Sequence, residues 1–301
     1  MALSFLEFEQ PIAELEAKIE ELGHVGSDSK VNIAEEVARL QKKVRQLTTN
    51  IFASLTPWQI TQLARHPLRP YTLDYLRMIC DEFTELHGDR MFGDDMAIVG
   101  GLARIDGRPV AVMAGDPYHY AGAWTADTCA KVIRFVDLAE TFHLPLVHLV
   151  DCPGFLIGLE AEKAATIRAG VRAMAAISQT TVPWCTILVR NVFGVAGAIH
   201  QPVGRLSLRY AWPSGYWGSL PLEGGIEAAY RADIDAAPDP QAKLAEIGTR
   251  LNGLRSPFRT AETFWVEEII DPRDTRKLLC EFVRLAEPLL TPGRSAFTMR
   301  P

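Results

Sequence analysis

Two turns carry the residues best placed to do chemistry. One is Asp151-Cys152-Pro153-Gly154, which ends an apolar run over residues 146–150; the other is Phe193-Gly194-Val195-Ala196-Gly197-Ala198. A second apolar run over 182–189 leads into that turn through Arg190-Asn191. Near-continuous apolar runs of this length suit strands covered on both faces, as in a parallel sheet with helical crossovers. A glycine turn after such a strand can open a helix, whose first amides lack an internal acceptor and can receive an oxyanion. Two such turns in tandem suit a thioester or ureido oxygen. The plainer alternative is that the glycines only close tight strand-to-helix turns.

The side chains near these turns are open to two readings. Asp151 could act as a base or could cap its turn. Glu160 and Glu162 follow the first turn, but their i, i+2 spacing puts them on different sides of a helix. They read better as acids at a helix start, favoured by the dipole. The seven histidines show no metal-ligand spacing, and His87, His143 and His200 read as structural. Arg205, Arg209 and Arg231 could meet phosphates, although isolated arginines are usually solvated.

The elements that must position these residues follow from periodicity. Apolar positions Phe5, Ile12, Leu15, Ile19 and Leu22 predict a helix over 4–23, with Pro11 at its start. Val37, Leu40, Val44, Leu47 and Ile51 predict a second over 33–55. The two form a hairpin whose stripe must be covered, by the chain's own body or by an oligomer partner. Thr56-Pro57 reads as an N-cap followed by proline at the first helical position of a helix ending at Ala64. A further helix is predicted over 72–83. Asp106-Gly107 between alternating segments predicts a β-hairpin. The main α/β domain is therefore placed at 96–301, behind a helical region over 1–95. Toward the end, Leu244, Ile247 and Leu251 predict a helix over 240–254. A strand, an Asp271-Pro272 helix start and a last amphipathic helix then follow.

Composition bounds the function. The chain has 301 residues, 48% of them hydrophobic and 23% charged, with a net charge of −6. That content supplies a core, and the acidic balance argues against a nucleic-acid footprint. Five scattered cysteines without a CxxC pair do not make a zinc ribbon, and an odd count suggests reduced thiols. The start has no basic leader, and no apolar run approaches a membrane span. A cytoplasmic protein that binds no metal is expected.

Three segments resemble the α subunit of bacterial acetyl-CoA carboxylase carboxyltransferase: FLEFEQPIAELEAKIEEL, PWQITQLARHPLRPYTLDY and DEFTELHGDRMFGDDMAIVGGLARIDGRPV. They cover about residues 1–112. Beyond Met113, AKVIRFVDLAETFHLPLVHLVDCPGFLIG, VPWCTILVRNVFGVAGA, YAWPS, LEGG and IIDPRDTR resemble the C-terminal half of propionyl-CoA-type carboxylase β subunits. Both families share the crotonase-like (ClpP/crotonase) α/β fold. A change of likeness between Arg108 and Gly115, in a natural mosaic or an engineered chimera, would keep the sheet in register.

The resemblance implies the biotin-side subunit of an acyl-CoA (acetyl- or propionyl-CoA) carboxyltransferase. A carboxyl group would pass from carboxybiotin on a biotin carboxyl carrier protein to the acyl-CoA. The ureido oxygen would meet the backbone amides of Val195 and Ala196, with Gly194 shaping the turn. Where this chain has Val195 the family usually has glycine, so a side chain could narrow the biotin channel. Pro153, Gly154 and Phe155 would form the opposite wall of the biotin pocket, with Gly158 allowing close approach and Gly197 and Ala198 completing it. Ala198 matches a position that helps select the acyl chain, and Trp124 hints at an altered acyl pocket. The expected partner is a zinc-bearing, CoA-binding β subunit or a second copy of the chain. A decarboxylase component and a non-catalytic assembly subunit are the alternatives.

Overall fold

The computed structural model describes residues 5–24, 30–89, 91, 93–202, 206–219, 225–254, 257–291 and 293–294. It forms two compact units, residues 1–69 and 70–301. The division comes earlier than the 96–301 boundary expected from sequence. The reason is that a helix and a strand preceding Met96 pack with the sheet.

The first unit is helical. A short 3-10 turn, Glu7–Glu9, leads into α1 (Gln10–His24), and α2 (Lys30–Phe52) and α3 (Pro57–Ala64) follow. α1 and α2 pack on each other, and Phe8 meets Phe52 edge-on at 6.3 Å. The start of one helix therefore lies at the end of the other, as in the hairpin expected. Thr56 and Gln59 make a reciprocal cap at the head of α3. The Thr56 amide donates to Gln59 Oε1 at 2.8 Å, and the Gln59 amide donates to Thr56 Oγ1 at 3.3 Å.

The second unit begins with α4 (Thr72–Ile79) and β1 (Glu82–Glu85). The helix predicted over 72–83 thus stops at Ile79. Cys80 turns extended, with φ −97° and ψ 148°, and the chain then pairs with the next strand. β2 (Ile98–Ile105) and β3 (Arg108–Gly115) form the predicted hairpin. Both of its turn residues have positive φ, Asp106 at 52° and Gly107 at 71°, the backbone a tight two-residue turn requires. There follow α5 (Ala126–Thr141), β4 (Leu146–Cys152), α6 (Leu159–Lys163), α7 (Thr166–Gln179), β5 (Trp184–Phe193), α8 (Gly194–Ala198), β6 (Ser207–Ala211) and β7 (Tyr216–Gly218). The chain ends through α9 (Gly225–Ala229), α10 (Arg231–Asp235), α11 (Pro240–Gly253), α12 (Pro257–Ala261), β8 (Glu268–Ile269) and α13 (Thr275–Ala286). The helical run expected between the two central strands is two helices, because Ala165 takes left-handed backbone (φ 55°, ψ 41°).

The sheet runs β1-β2-β3-β4-β5-β6-β8, with β7 beside the end of β5. The first three strands are antiparallel, and pairing from β3 onward is parallel. Every residue of β4 is buried, as its apolar run implied. Side chains alternate between two helical layers. Leu146, Val150 and Cys152 face the layer of α5 and α7; Val147 and Leu149 face that of α4 and α13. Each fully buried aliphatic side chain contributes roughly 1.5–3 kcal/mol over its exposed state. The helices α9 to α11 add a small cluster of their own around Ile226, Ile234 and Ile247.

Candidate functional site

Both glycine turns lie at the carboxyl ends of adjacent parallel strands. Cys152 on β4 pairs with Val192 on β5 after a shift in register that follows Val150. Open α/β sheets bind ligands at that end of their strands. Asp151 ties the two ends together. Its carboxylate accepts from Arg190 Nε at 3.2 and 3.1 Å and from the Asn191 amide at 3.1 Å. With only 4% of its surface exposed, Asp151 acts as a clamp between turns. Glu160 and Glu162 sit in the first turn of α6, and Lys163 pairs with Glu160 at 2.7 Å.

The second turn opens α8 directly from β5. Gly194 takes the left-handed backbone there, φ 59°, and Val195 does not. Valine is therefore compatible with the turn, because the strained position is the glycine before it. As second and third residues of α8, Val195 and Ala196 have amides with no acceptor inside the helix. The side chain of Val195 is 54% exposed, whereas Ala196 is buried. Gly197 is needed for close packing, since an added Cβ would lie 2.6 Å from the Val192 carbonyl carbon.

The first turn is built on aromatic packing. The Trp124 amide donates to Gly154 O at 3.0 Å, and the Leu156 amide donates to Trp124 O at 2.8 Å. Trp124 and Phe155 meet edge-on at 6.4 Å, and the Phe155 ring rests on Gly170 of α7. Trp124 is 1% exposed and belongs to the core, not to an open acyl pocket. Gly154 abuts the second turn, because a Cβ there would lie 3.6 Å from Phe193 O. A Cβ added at Gly158 would meet nothing within 4 Å. Its φ of 121°, not close approach, is what calls for glycine.

A cleft of about 900 Å³ opens beside α8. Gly194, Val195 and Ala198 line it, together with Arg209, Trp217, Arg259 and Trp265. Pro153, Gly154, Phe155, Gly158, Ala196 and Gly197 are not part of its lining. The structure thus gathers half of the second turn at the cleft, with the first turn alongside.

Behind the cleft a polar row crosses the sheet. His148 on β4 pairs in register with Thr186 on β5, which pairs with Arg209 on β6. Thr186 Oγ1 donates to His200 O at 2.5 Å and accepts from Trp184 Nε1 at 3.1 Å. Burial drives the imidazoles neutral: His148 is pushed down to about 3, and His200 to about 4 with Arg209 adding to the effect. His148 Nδ1, His200 Nδ1 and Arg209 Nε are buried with no hydrogen-bond partner among the described residues. His148 was not visible as special in the sequence, since an apolar run conceals one polar member. Among the other flagged groups, His87 Nδ1 lies 3.1 Å from Asp94 and His143 Nε2 lies 2.7 Å from Gly293 O. Arg231 is exposed on α10, and Arg205 lies outside the described residues. No group of three or more acids, histidines or cysteines poised for a metal occurs among the described residues.

These features are those of an α/β fold of the crotonase type, with the two glycine turns at the strand ends. The family described as acetyl co-enzyme A carboxylase carboxyltransferase-like matches residues 5–206, and the chain belongs to it. Among named relatives, the carboxyl transferase subunit alpha of acetyl-coenzyme A carboxylase from Halorhodospira halophila is 47% identical over 222 residues, 70% of this chain and 69% of the relative. The same subunit from Methylococcus capsulatus is 44% identical over 225 residues, 70% of this chain and 68% of that one. In structure, the chain is similar to transcarboxylase 12S crystallised with methylmalonyl-coenzyme A and methylmalonic acid (TM-score 0.64, 30% identity). The likeness covers 76% of this chain but only 44% of that one. A single-chain, multi-domain long-chain acyl-CoA carboxylase gives a TM-score of 0.59 at 27% identity, over 74% of this chain and 23% of its own length. The α-subunit likeness therefore runs well past residue 112. Residues 113–206 carry both resemblances, as two families sharing one fold allow. The chain is a carboxyltransferase component of the acyl-CoA carboxylase type. No described helix is long and apolar enough to cross a membrane.

Proposed function

We propose that this chain is the biotin-side half of an acyl-CoA carboxyltransferase and that the turn at α8 is its oxyanion site. The observation that carries this reading is the turn itself: a left-handed Gly194 presents the helix-start amides of Val195 and Ala196 beside an open cleft. Biotin on a carrier protein supplies the carboxyl group to be moved. The chain's task is to hold negative charge on oxygen in a site that excludes water, which preorganised amides do well. Val195 and Ala196 would donate to the ureido oxygen. Ala198 continues that wall and Gly197 seats the turn on β5, while Pro153, Gly154 and Phe155 brace it from the neighbouring strand end. Gly158 sets the course of the chain beyond that brace. The residues fit such a group, because the turn's left-handed glycine and the adjoining cleft are both present.

A second carboxyltransferase surface must complete the site. The region around the turns supports this, for Ile157, Leu159, Ile167, Val171 and Val195 are all more than half exposed. Apolar exposure on this scale marks an interaction surface. The partner we propose is a CoA-binding carboxyltransferase β subunit, with a second copy of the chain as the other arrangement. The test is reconstitution with candidate β subunits, following carboxyl transfer between malonyl-CoA and free biotin. Transfer that requires both chains supports the reading, and transfer that is absent with every partner overturns it. Loss of carboxyl groups from malonyl-CoA without an acceptor would instead favour the decarboxylase reading.

A further inference from the structure

We infer that Arg209, helped by His200, is a positioning site for the carboxylate of the carboxylated acyl substrate. This rests on the proposed carboxyl transfer and concerns the same cleft. Arg209 sits at the cleft end of the polar row, and its side chain is only 16% exposed. Its Nε is buried without a hydrogen-bond partner among the described residues, and so is Nδ1 of His200 beside it. A buried polar nitrogen left without a partner is costly, so two on one wall, the Arg209 donor and a ring nitrogen of neutral His200, point to something that fills them. The partner Arg209 does have, Glu267, reaches Nη2 at 3.5 Å, a long contact. Its other oxygen accepts the Arg209 backbone amide. Glu267 therefore fixes the strand and leaves Nε without a partner among the described residues, on a residue that lines the cleft.

The ligand class follows from the lining. No acid lines the cleft among the described residues, while Arg209 and Arg259 do, and Trp217 and Trp265 add flat apolar walls. Such a pocket suits an anionic group carried on an apolar body. The Val195 turn opens on the same space, so the anion would share one cleft with the turn at which the carboxyl group is proposed to be exchanged. A malonyl thioester bears a carboxylate at that place, and an acetyl thioester does not.

The experiment uses the full chain reconstituted with its CoA-binding partner. Dissociation constants for malonyl-CoA and acetyl-CoA are measured for wild type, Arg209→Gln and Arg209→Lys. The two ligands differ only in the carboxylate. Arg209→Gln should weaken malonyl-CoA by about 10- to 100-fold, the scale of one charge-assisted hydrogen bond, and leave acetyl-CoA within about twofold. Arg209→Lys should recover part of the difference. In turnover, the loss should appear in KM for malonyl-CoA more than in kcat. Equal weakening of both ligands would mean that Arg209 serves only the fold, and no change in either would mean that the carboxylate is held elsewhere; both overturn the inference. A wild-type complex that binds malonyl-CoA through Arg209 yet transfers nothing would sink the carboxyltransferase reading and leave the binding site standing.

Discussion

Val195 stands where the resemblance to acyl-CoA carboxylases implies glycine, and the backbone explains why valine is tolerated. The left-handed residue is Gly194, so replacing Val195 by glycine removes a side chain from the cleft without relieving strain. Val195→Gly should keep or raise transfer activity. Ala196→Pro deletes a donor and should lower the rate by about 10²–10³-fold, with circular dichroism confirming the fold. Full activity in a folded Ala196→Pro would place the oxyanion elsewhere. Asp151 supports a different prediction. Its carboxylate and the largely buried Arg190 form a pair, so Asp151→Ala should destabilise by about 3–5 kcal/mol in urea titration. A base whose role was chemical would instead lose activity with stability intact. The buried histidines fix a pH dependence. Both are neutral in the fold, with folded values near 3 and 4 against 6.5 for the free group. The unfolded chain then binds protons that the native chain refuses. Stability is fully present above pH 6.5 and falls as the pH drops toward about 4, by up to about 1.4 kcal/mol per unit for each histidine. Urea midpoints in a His148→Gln, His200→Gln double variant should be flatter over that window, and an unchanged slope would refute this.

At the scale of elements, close approach of backbone and ring decides the architecture of the first turn. A Cβ at Gly170 would lie 2.3 Å from the Phe155 ring, so Gly170→Ala should push the ring off α7 and loosen the Pro153–Gly154 brace. A stability loss of about 1–3 kcal/mol, with altered Trp124 fluorescence, is expected from such overpacking. Wild-type stability would show that the ring has room to move. Much of this element layer was legible in the sequence. The apolar runs marked both central strands, Asp106-Gly107 marked the hairpin, and Thr56-Pro57 marked a helix start. The signals failed where long-range pairing prevailed over local pattern. The helix over 72–83 read on past Ile79 because its spacing continued, yet β1 is held by the strand of residues 98–105, distant in sequence. Arg209 read as a surface arginine because its strand lacks a clean alternation, and only the pairing of β6 with β5 turns it inward. The cleft's Trp217 and Trp265 lie far apart in sequence, and nothing local announces that they line one cleft.

At the scale of the whole molecule, the two units raise the question of what the helical one is for. Residues 70–301 contain the complete sheet and both helical layers that cover it. The catalytic unit thus has its own core, and its folding has no evident need of the first unit. The helices of residues 1–69 have a different character. α1 buries Ile12 and Leu15, but α2, at 23 residues, shows no fully buried hydrophobic side chain among those described. An amphipathic helix of that length gains most of its stability by covering an apolar stripe, and isolated helices are marginal in water. A stripe left only half covered is suited to another chain. We therefore expect a chain lacking residues 1–69 to fold and to keep the thermal transition of the α/β unit, while assembling to a smaller mass than the full chain. Shortening by residues 1–55 alone should act in the same direction. Light scattering on the reconstituted complex and on the chain alone would read the mass, and calorimetry would read the transition. An assembly of unchanged stoichiometry would mean that the hairpin serves no interface, and a truncated chain that failed to fold would mean that its stripe belongs to the core.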